Sequence, residues 1–325
     1  MNELEQLVDE LCSRSTGDEL WCNLEDTGLA RLTSSQDAGP AEAAIVLSGL
    51  ARHAAAVPIA ETDLLAAWLA DTADVPVPDK GPLTVAIADA TERGGRITGT
   101  AREVPWPVGI VVLAARTTDA LRVAVLDDAQ VVGGHNLADE PRGSVTFDVA
   151  VDDTRAVSVD VADELTRRGA WARCNQIVGA LDASCDLTVT HTGERVQFGR
   201  ALSKFQAVQH SLAAMAGEIE RARAATALAV AAATDYGFDH PATDYAVTAA
   251  KVAVGRAVDP VTTIAHQLHG AIGVTIEHRL WRSTMRARSW VDEFGTTGHY
   301  ARRLGRMALA ADDPWDVVVS YPAPR

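Results

Sequence analysis

The spacing of apolar residues changes twice along this chain, so no single regular architecture can cover all of it. Up to about residue 73 the spacing is helical. Leu4, Leu7, Val8 and Leu11 share one face, and residues 41–56 and 63–69 give two further helical patterns. The run 74–82, DVPVPDKGP, ends that regime with three prolines and a glycine. After it the period is two. Residues 83–87, 96–100, 109–115, 121–126 and 144–149 read as strands, with Gly94-Gly95 and Gly133-Gly134 at turns. No helical crossover separates these strands, so the expectation is a small antiparallel barrel or sandwich rather than a dinucleotide-binding βαβ fold. From about Val161 the helical period returns and holds almost to the end. The fold class expected is α+β in three parts. These are a helical domain over 1–73, a β-barrel or sandwich over 74–160, and an antiparallel helical bundle with a tail over 161–325.

Within the bundle, Leu165, Trp171, Cys174, Ile177, Val178, Leu181 and Cys185 mark the apolar side of a helix over 163–190. Gly193 is placed to take a left-handed cap behind it. Ser203 followed by Gln206 reads as a capping box opening a helix over 203–233. Phe205, Val208, Leu212, Met215 and Ile219 give that helix its buried face, and Ala222, Ala225, Ala229 and Ala232 allow close helix contact. A third pattern, 244–268, is interrupted by Asp259-Pro260. An interior proline costs about 3 kcal/mol. Either the helix kinks there, or a new one starts with Asp259 as cap and Pro260 at its first position. Helices over 278–289 and 297–311 follow, then a proline-containing tail over 315–325. Trp21 and Trp68 read as core anchors.

The formal net charge of −15 comes with no basic tract, which argues against nucleic acid and anionic membrane as partners. The most apolar helical run, 224–233, is too short for a bilayer, which needs about 20 residues. The acidic, amphipathic start MNELEQLVDELC is not a signal peptide. Cys12, Cys22, Cys174 and Cys185 form no C-x-x-C pair and read as reduced thiols of a cytoplasmic protein. Lysine is confined to Lys80, Lys204 and Lys251. His266 and His269 lack a neighbouring carboxylate or cysteine and do not read as a metal site. His210 and His278 read as polar interface or surface residues.

Two motifs carry the functional reading. Residues 192–215 read TGERVQFGRALSKFQAVQHSLAAM, and residues 267–273 read QLHGAIG. Together and in this order they resemble the acyl-CoA dehydrogenase family, whose C-terminal domain has an ER-x-x-FG turn before a Q-x-x-Q helix and, further on, a Q-x-x-GG-x-G turn. The resemblance implies FAD in a crevice between domains, with its adenosine end crossing to the neighbouring subunit's bundle. It assigns Arg195, Gln197, Phe198, Phe205, Gln206, Gln267, Leu268, His269, Gly270 and Ala271 to that end. The chemistry fits: arginine gives a pyrophosphate charge and planar donors, an aromatic face supports adenine, and glycine lets backbone N–H groups approach. Ala271 stands where the family has a second glycine.

Two departures accompany the resemblance. The middle-domain loop that hydrogen-bonds the flavin ring in the family is replaced by AIADATERGGRITG, in which Thr91 and Glu92 are the remnant. Trp106 reads as a strand-edge packing residue. The family's reaction needs a carboxylate to take the α proton of a CoA thioester while the β hydrogen leaves as hydride, and such a base is worth roughly 10²- to 10⁴-fold. The matched position holds Phe294, and Glu293 is one residue early, about 100° away if the segment were helical. The alternative family position, on the third bundle helix, falls near Arg256. Glu293 is therefore the candidate catalytic residue of this chain, facing solvent or an arginine such as Arg288 if it is not the base.

Three functions are compatible with this pattern. The first is a subunit of a heteromeric acyl-CoA dehydrogenase that supplies the adenosine half of a FAD site while its partner supplies the base. The second is a self-sufficient enzyme using Glu293, and the third a flavin-free scaffold. The kept adenosine-side motif, with the ring-side loop and base lost, favours the first, and the chain resembles the truncated small subunits of heteromeric members in actinobacterial steroid side-chain degradation. It implies an acyl-CoA thioester substrate, a second acyl-CoA dehydrogenase subunit in a heterotetramer, electron-transfer flavoprotein as acceptor, and a place in lipid metabolism.

Overall fold

A computed structural model describes residues 2–35, 38–107, 109–126 and 129–319. Helices α1 (Glu3–Arg14), α2 (Gly17–Asp26) and α3 (Pro40–Arg52) open the chain, and a π-helix, Ala60–Ala67, runs into α4 (Trp68–Thr72). The strands are β1 (Leu83–Asp89), β2 (Thr91–Arg93), β3 (Arg96–Pro105), β4 (Ile110–Arg116), β5 (Leu121–Leu126), β6 (Gln130–His135), β7 (Pro141–Ala150) and β8 (Arg155–Val157). Then come α5 (Asp160–Glu194), the short strands β9 (Val196–Gln197) and β10 (Arg200–Ala201), and α6 (Gln206–Tyr236). The chain closes with α7 (Pro241–His269), α8 (Leu280–Trp290), α9 (Thr297–Ala310) and α10 (Asp316–Val319). The fold is α+β, as the spacing predicts. The end of the tail, residues 320–325, lies outside the described residues.

The chain forms two compact units. One consists of Glu10–Ala43 and Ala56–Gly169, the other of the described residues up to Asp9, Ala44–Ala55 and those from Ala170 on. In the first, two four-stranded sheets, ordered β1-β4-β5-β8 and β2-β3-β7-β6, share a core of Ile97, Val104, Val111, Leu113, Leu126, Val145 and Phe147. One pairing departs from the expected antiparallel pattern: β1 and β4 run parallel, Leu83 opposite Ile110. A parallel pair needs a long connection, and here the β2–β3 segment provides it by crossing into the other sheet. Gly94 and Gly95 do form a turn, both at positive φ. Gly133 and Gly134 do not. They lie inside the fully exposed strand β6, where no buried alternation marks them as strand.

The π-helix is buried along its length. Two of its polar side chains are engaged by neighbouring backbone. Thr62 Oγ1 accepts from Leu83 N and donates to Leu83 O, both at 3.0 Å. The Asp63 carboxylate accepts from the backbone N–H groups of Thr33 and Ser34. Trp21 is buried as expected, and Trp68 carries the Arg168 guanidinium on its ring at 4.1 Å.

In the second unit, the α5 residues Trp171, Cys174, Ile177 and Leu181 are fully buried. Trp171 donates from Nε1 to Ala229 O of α6 at 3.2 Å and meets Phe238 edge-on at 5.4 Å. Two boundaries differ from expectation, and a third is settled between two readings. Helix α5 continues through Gly193 to Glu194, so Gly193 is not its cap. The cap of α6 is Phe205, with no side-chain bond, and Ser203 sits in a 3-10 turn, so the expected capping box is absent. Helix α7 is continuous from Pro241 to His269 with Pro260 inside it. The carbonyl that Pro260 leaves without a partner belongs to exposed Arg256, where water can replace the bond. On α6, Met215 and Ile219 are buried, whereas Phe205, Val208 and Leu212 are only half-covered.

Close backbone approach fixes one glycine. A Cβ on Gly179 of α5 would stand 2.1 Å from the Ser48 carbonyl of α3. Gly179→Ala is expected to lower stability by about 1–3 kcal/mol, the usual cost of overpacking, because backbone rather than a side chain must yield. Urea unfolding of the two chains measures it.

Candidate functional site

The first motif folds as a hairpin directly behind α5. Val196–Gln197 pairs with Arg200–Ala201, and the turn residues Phe198 and Gly199 both adopt positive φ, 51° and 77°. Two consecutive left-handed residues are what a tight hairpin requires, and they throw the Phe198 ring outward, 92 % exposed. It meets Phe205 edge-on at 6.2 Å, and the Arg200 guanidinium lies over the Phe205 ring at 4.1 Å. Arg195, Gln197 and Gln206 are exposed beside this surface.

The second motif ends α7. Gln267 is exposed, Leu268 half-buried and His269 buried. Gly270 takes φ 66°, with open space where a Cβ would stand, and Ala271 follows it exposed on a 3-10 turn. The glycine is therefore needed for its dihedral and not to relieve crowding.

The two motifs meet through a residue that the sequence reading passed over. His191, in the last turn of α5, stacks on His269 with ring centroids 4.4 Å apart. His278 presses its edge on His269 at 4.9 Å. His278 is thus part of this cluster rather than a plain surface group. His269 Nδ1 donates to Ala265 O at 2.8 Å, which fixes the neutral tautomer and leaves buried Nε2 with no hydrogen-bond partner. Burial, and then the like-charged neighbours His191, His278 and His266, bring His269 down to about 4 despite that bond. Burial with His278 and Arg195 also lowers His191.

A separate cluster surrounds the candidate base. Glu293 faces an arginine, as expected, but that arginine is Arg173 and not Arg288. Its carboxylate accepts from Arg173 Nε at 2.6 Å, while Arg288 pairs with Asp259 at 3.0 Å. Arg173 is buried on α5 and also donates to Gln176 Oε1. Its guanidinium faces the rings of Trp290 and Phe294 at 5.7 and 5.8 Å. The backbone of the same turn is held from the other side. Lys251 Nζ, buried on α7, donates to Val291 O at 2.8 Å and Glu293 O at 2.9 Å, and Tyr300 Oη donates to Phe294 O at 2.8 Å. Phe294 and Gly295 take positive φ, 55° and 112°. The segment is therefore not helical, and the 100° argument from helical spacing does not apply to it. Burial lowers the Lys251 ammonium, and burial pushes the adjacent Cys174 thiol up to about 12. Lysine rarity was the available signal for Lys251, since one of only three lysines falls on the apolar face of a long helix.

On the β unit, Thr91 and Glu92 are exposed on β2, and Glu92 bridges to Arg122. Trp106 takes φ 50° just after β3 and donates its backbone N–H to Pro141 O at 3.1 Å, a strand-edge position as expected. No described helix is long and apolar enough to cross a membrane. All four cysteines are free thiols.

Comparison with known proteins decides the family. The model of the acyl-CoA dehydrogenase C-terminal domain matches residues 159–308, which contain both motifs and the Glu293 turn. Residues 159–308 of this chain belong to the acyl-CoA dehydrogenase family. It is 28 % identical over 305 residues to acyl-CoA dehydrogenase IpdE2 of Mycobacterium tuberculosis, covering 90 % of this chain and 87 % of that one. Its fold is similar to a chain of the ChsE4-ChsE5 complex from Mycobacterium tuberculosis, with TM-score 0.82, 23 % identity and 95 % of each chain covered. It is also similar to a chain of the Tcur3481-Tcur3483 steroid ACAD, a G363A variant, with TM-score 0.83, 23 % identity and coverage of 94 % and 97 %.

The Lys251 clamp gives a stability prediction. Lys251→Met keeps the apolar stem but leaves the Val291 and Glu293 carbonyls without their donor, at about 1–3 kcal/mol for each buried group left unpaired. The expected result is a clear fall in the urea midpoint with an unchanged m-value.

Proposed function

We propose that this chain is a subunit of a heteromeric, FAD-dependent acyl-CoA dehydrogenase acting on a CoA thioester, contributing the adenosine half of the flavin site. The observation that carries the reading is the state of Glu293. The carboxylate next to the family's base position is bound to a buried arginine, and its turn is clamped by Lys251 and Tyr300. Taking a proton from substrate would require breaking that ion pair and leaving Arg173 buried with its Glu293 bond lost, which is costly. The base therefore belongs to a partner subunit. The solved relatives named as a ChsE4-ChsE5 complex and a Tcur3481-Tcur3483 steroid ACAD support a heteromer, and the second also supports a steroid-linked acyl group.

The residues present fit the adenosine end of the cofactor. Phe198 offers an exposed aromatic face, Arg195 and Arg200 stand beside it, and the Gly270-Ala271 backbone is open on its outer side. In this reading Arg195 neutralises the pyrophosphate, Phe198 supports the adenine, and Gln206 and Gln267 supply polar contacts at the rim. Leu268, Gln197 and Phe205 shape the same surface. FAD, when bound, supplies the hydride acceptor. The remnant Thr91-Glu92 strand does not reproduce the family's ring-side loop, so ring contacts fall to the partner, and electron-transfer flavoprotein is the acceptor that family membership implies.

Two experiments test this. Arg195→Ala is expected to release FAD from the assembled enzyme, since charge-assisted bonds to phosphate are worth about 1.5–3 kcal/mol each. Flavin absorbance per assembled complex measures it, and an unchanged content would remove Arg195 from the site. Glu293→Gln keeps a hydrogen-bond acceptor for Arg173 and removes the basic carboxylate. Turnover per bound flavin is expected to stay within a few-fold of the parent, whereas a loss of about 10²-fold with flavin retained would make Glu293 the base and the chain an enzyme in its own right.

A further inference from the structure

Three helix termini meet at the histidine cluster, and each contributes an imidazole. At the C-terminus of α5, His191 stacks on His269. At the C-terminus of α7, His269 ties Nδ1–H to Ala265 O. At the start of α8, His278 Nδ1 accepts the Leu280 N–H at 3.1 Å, satisfying one of the free donors that every helix start exposes. The segment between the last two, residues 270–279, is otherwise held by buried Gly273, by the Trp281 Nε1 bond to Ile276 O at 3.1 Å and by short turn bonds within it. Ile272, Val274 and Ile276 are 49 %, 67 % and 76 % exposed, and Val274 and Ile276 wall an open groove of about 440 Å³ together with His266, Trp281 and Met285.

We propose that this cluster is an acid-sensitive fastening, through which protonation releases the 270–279 segment from the ends of α5 and α7. A proton on His278 Nδ1 removes the acceptor for Leu280 N–H and sets two N–H groups against each other. A proton on His269 or His191 puts a cation against two other imidazoles within 6.5 Å. The charged and titratable groups facing the cluster are Glu194 and Arg195 from α5, and His266 from α7, itself beside Arg288. Of these only Glu194 favours a charged imidazole, so the surroundings as a whole oppose protonation in the closed state.

The sign follows from linkage. His269 is held at about 4 when closed, against an ordinary 6.5 when free. Its stabilising contribution is complete above 6.5 and is lost as the pH falls toward 4. The proposal is independent of which ligand the Gly270 turn holds.

Amide hydrogen exchange of the full chain at pH 7.5 and 5.0, corrected for intrinsic rates, tests it. Protection of residues 270–282 is expected to fall about tenfold more than that of the α5 core between the two pH values, a change of roughly 1.4 kcal/mol in local opening. His278→Asn keeps a side-chain acceptor for the Leu280 N–H and removes the proton site, so it should flatten this dependence. His191→Gln, which removes the stacked neighbour, should reduce it. Equal protection loss in both regions of the parent chain would overturn the proposal. So would an unaltered pH dependence in either folded variant, and His191→Gln decides alone if His278→Asn does not fold.

Discussion

A buried ammonium needs hydrogen-bond acceptors, and that requirement fixes the turn after α8. Lys251 reaches the carbonyls of Val291 and Glu293 from inside α7. With those two oxygens pinned, Phe294 is held in a left-handed conformation that a bulky side chain adopts only at a cost, and Gly295 follows in one that only glycine enters freely. Tyr300 closes the arrangement, packed so near Gly295 that a Cβ there would stand 2.7 Å from its ring. Arg173 then finds Glu293 at a set distance. The geometry of the whole turn follows from one cation that cannot be solvated.

The elements with strong periodicity were legible in the sequence. Five strands were found because their apolar residues alternate against a shared core. Strand β6 was missed for the converse reason: it is an edge strand exposed at every position, and its Gly133-Gly134 pair carries the signature of a turn. Strand β8 is three residues long, too short to show a period. Pro260 gave two readings of α7 because local chemistry alone penalises it, whereas packing along Val254, Val258, Val261 and Ala265 keeps the helix continuous.

The candidate site was legible in part. The two motifs were visible as strings, and the contact that joins them was not, because His191 lies in no motif and meets His269 only through tertiary structure. The role of Glu293 was not readable either. Its partner Arg173 lies on α5, far away along the chain, and no spacing rule links them. What sequence did give was the anomaly itself, Phe294 where a carboxylate was expected.

The two compact units are interleaved along the chain rather than consecutive. One is complete once Gly169 has been made, since it draws only on Glu10–Ala43 and Ala56–Gly169. The other includes the first residues and Ala44–Ala55, yet most of it follows Ala170. During synthesis its early pieces can meet only each other, at Val8 and Gly49 and through Asp9 and His53, until much later helices emerge. Gly179 has to find the Ser48 carbonyl across that interval, and Arg286 the carbonyl of Ala55. Such long-range closures are slow to form, and chains generally fold from the N-terminus as they are made. The β-sheet unit is therefore the piece that can fold first, while residues 44–55 wait for the bundle helices that complete their packing.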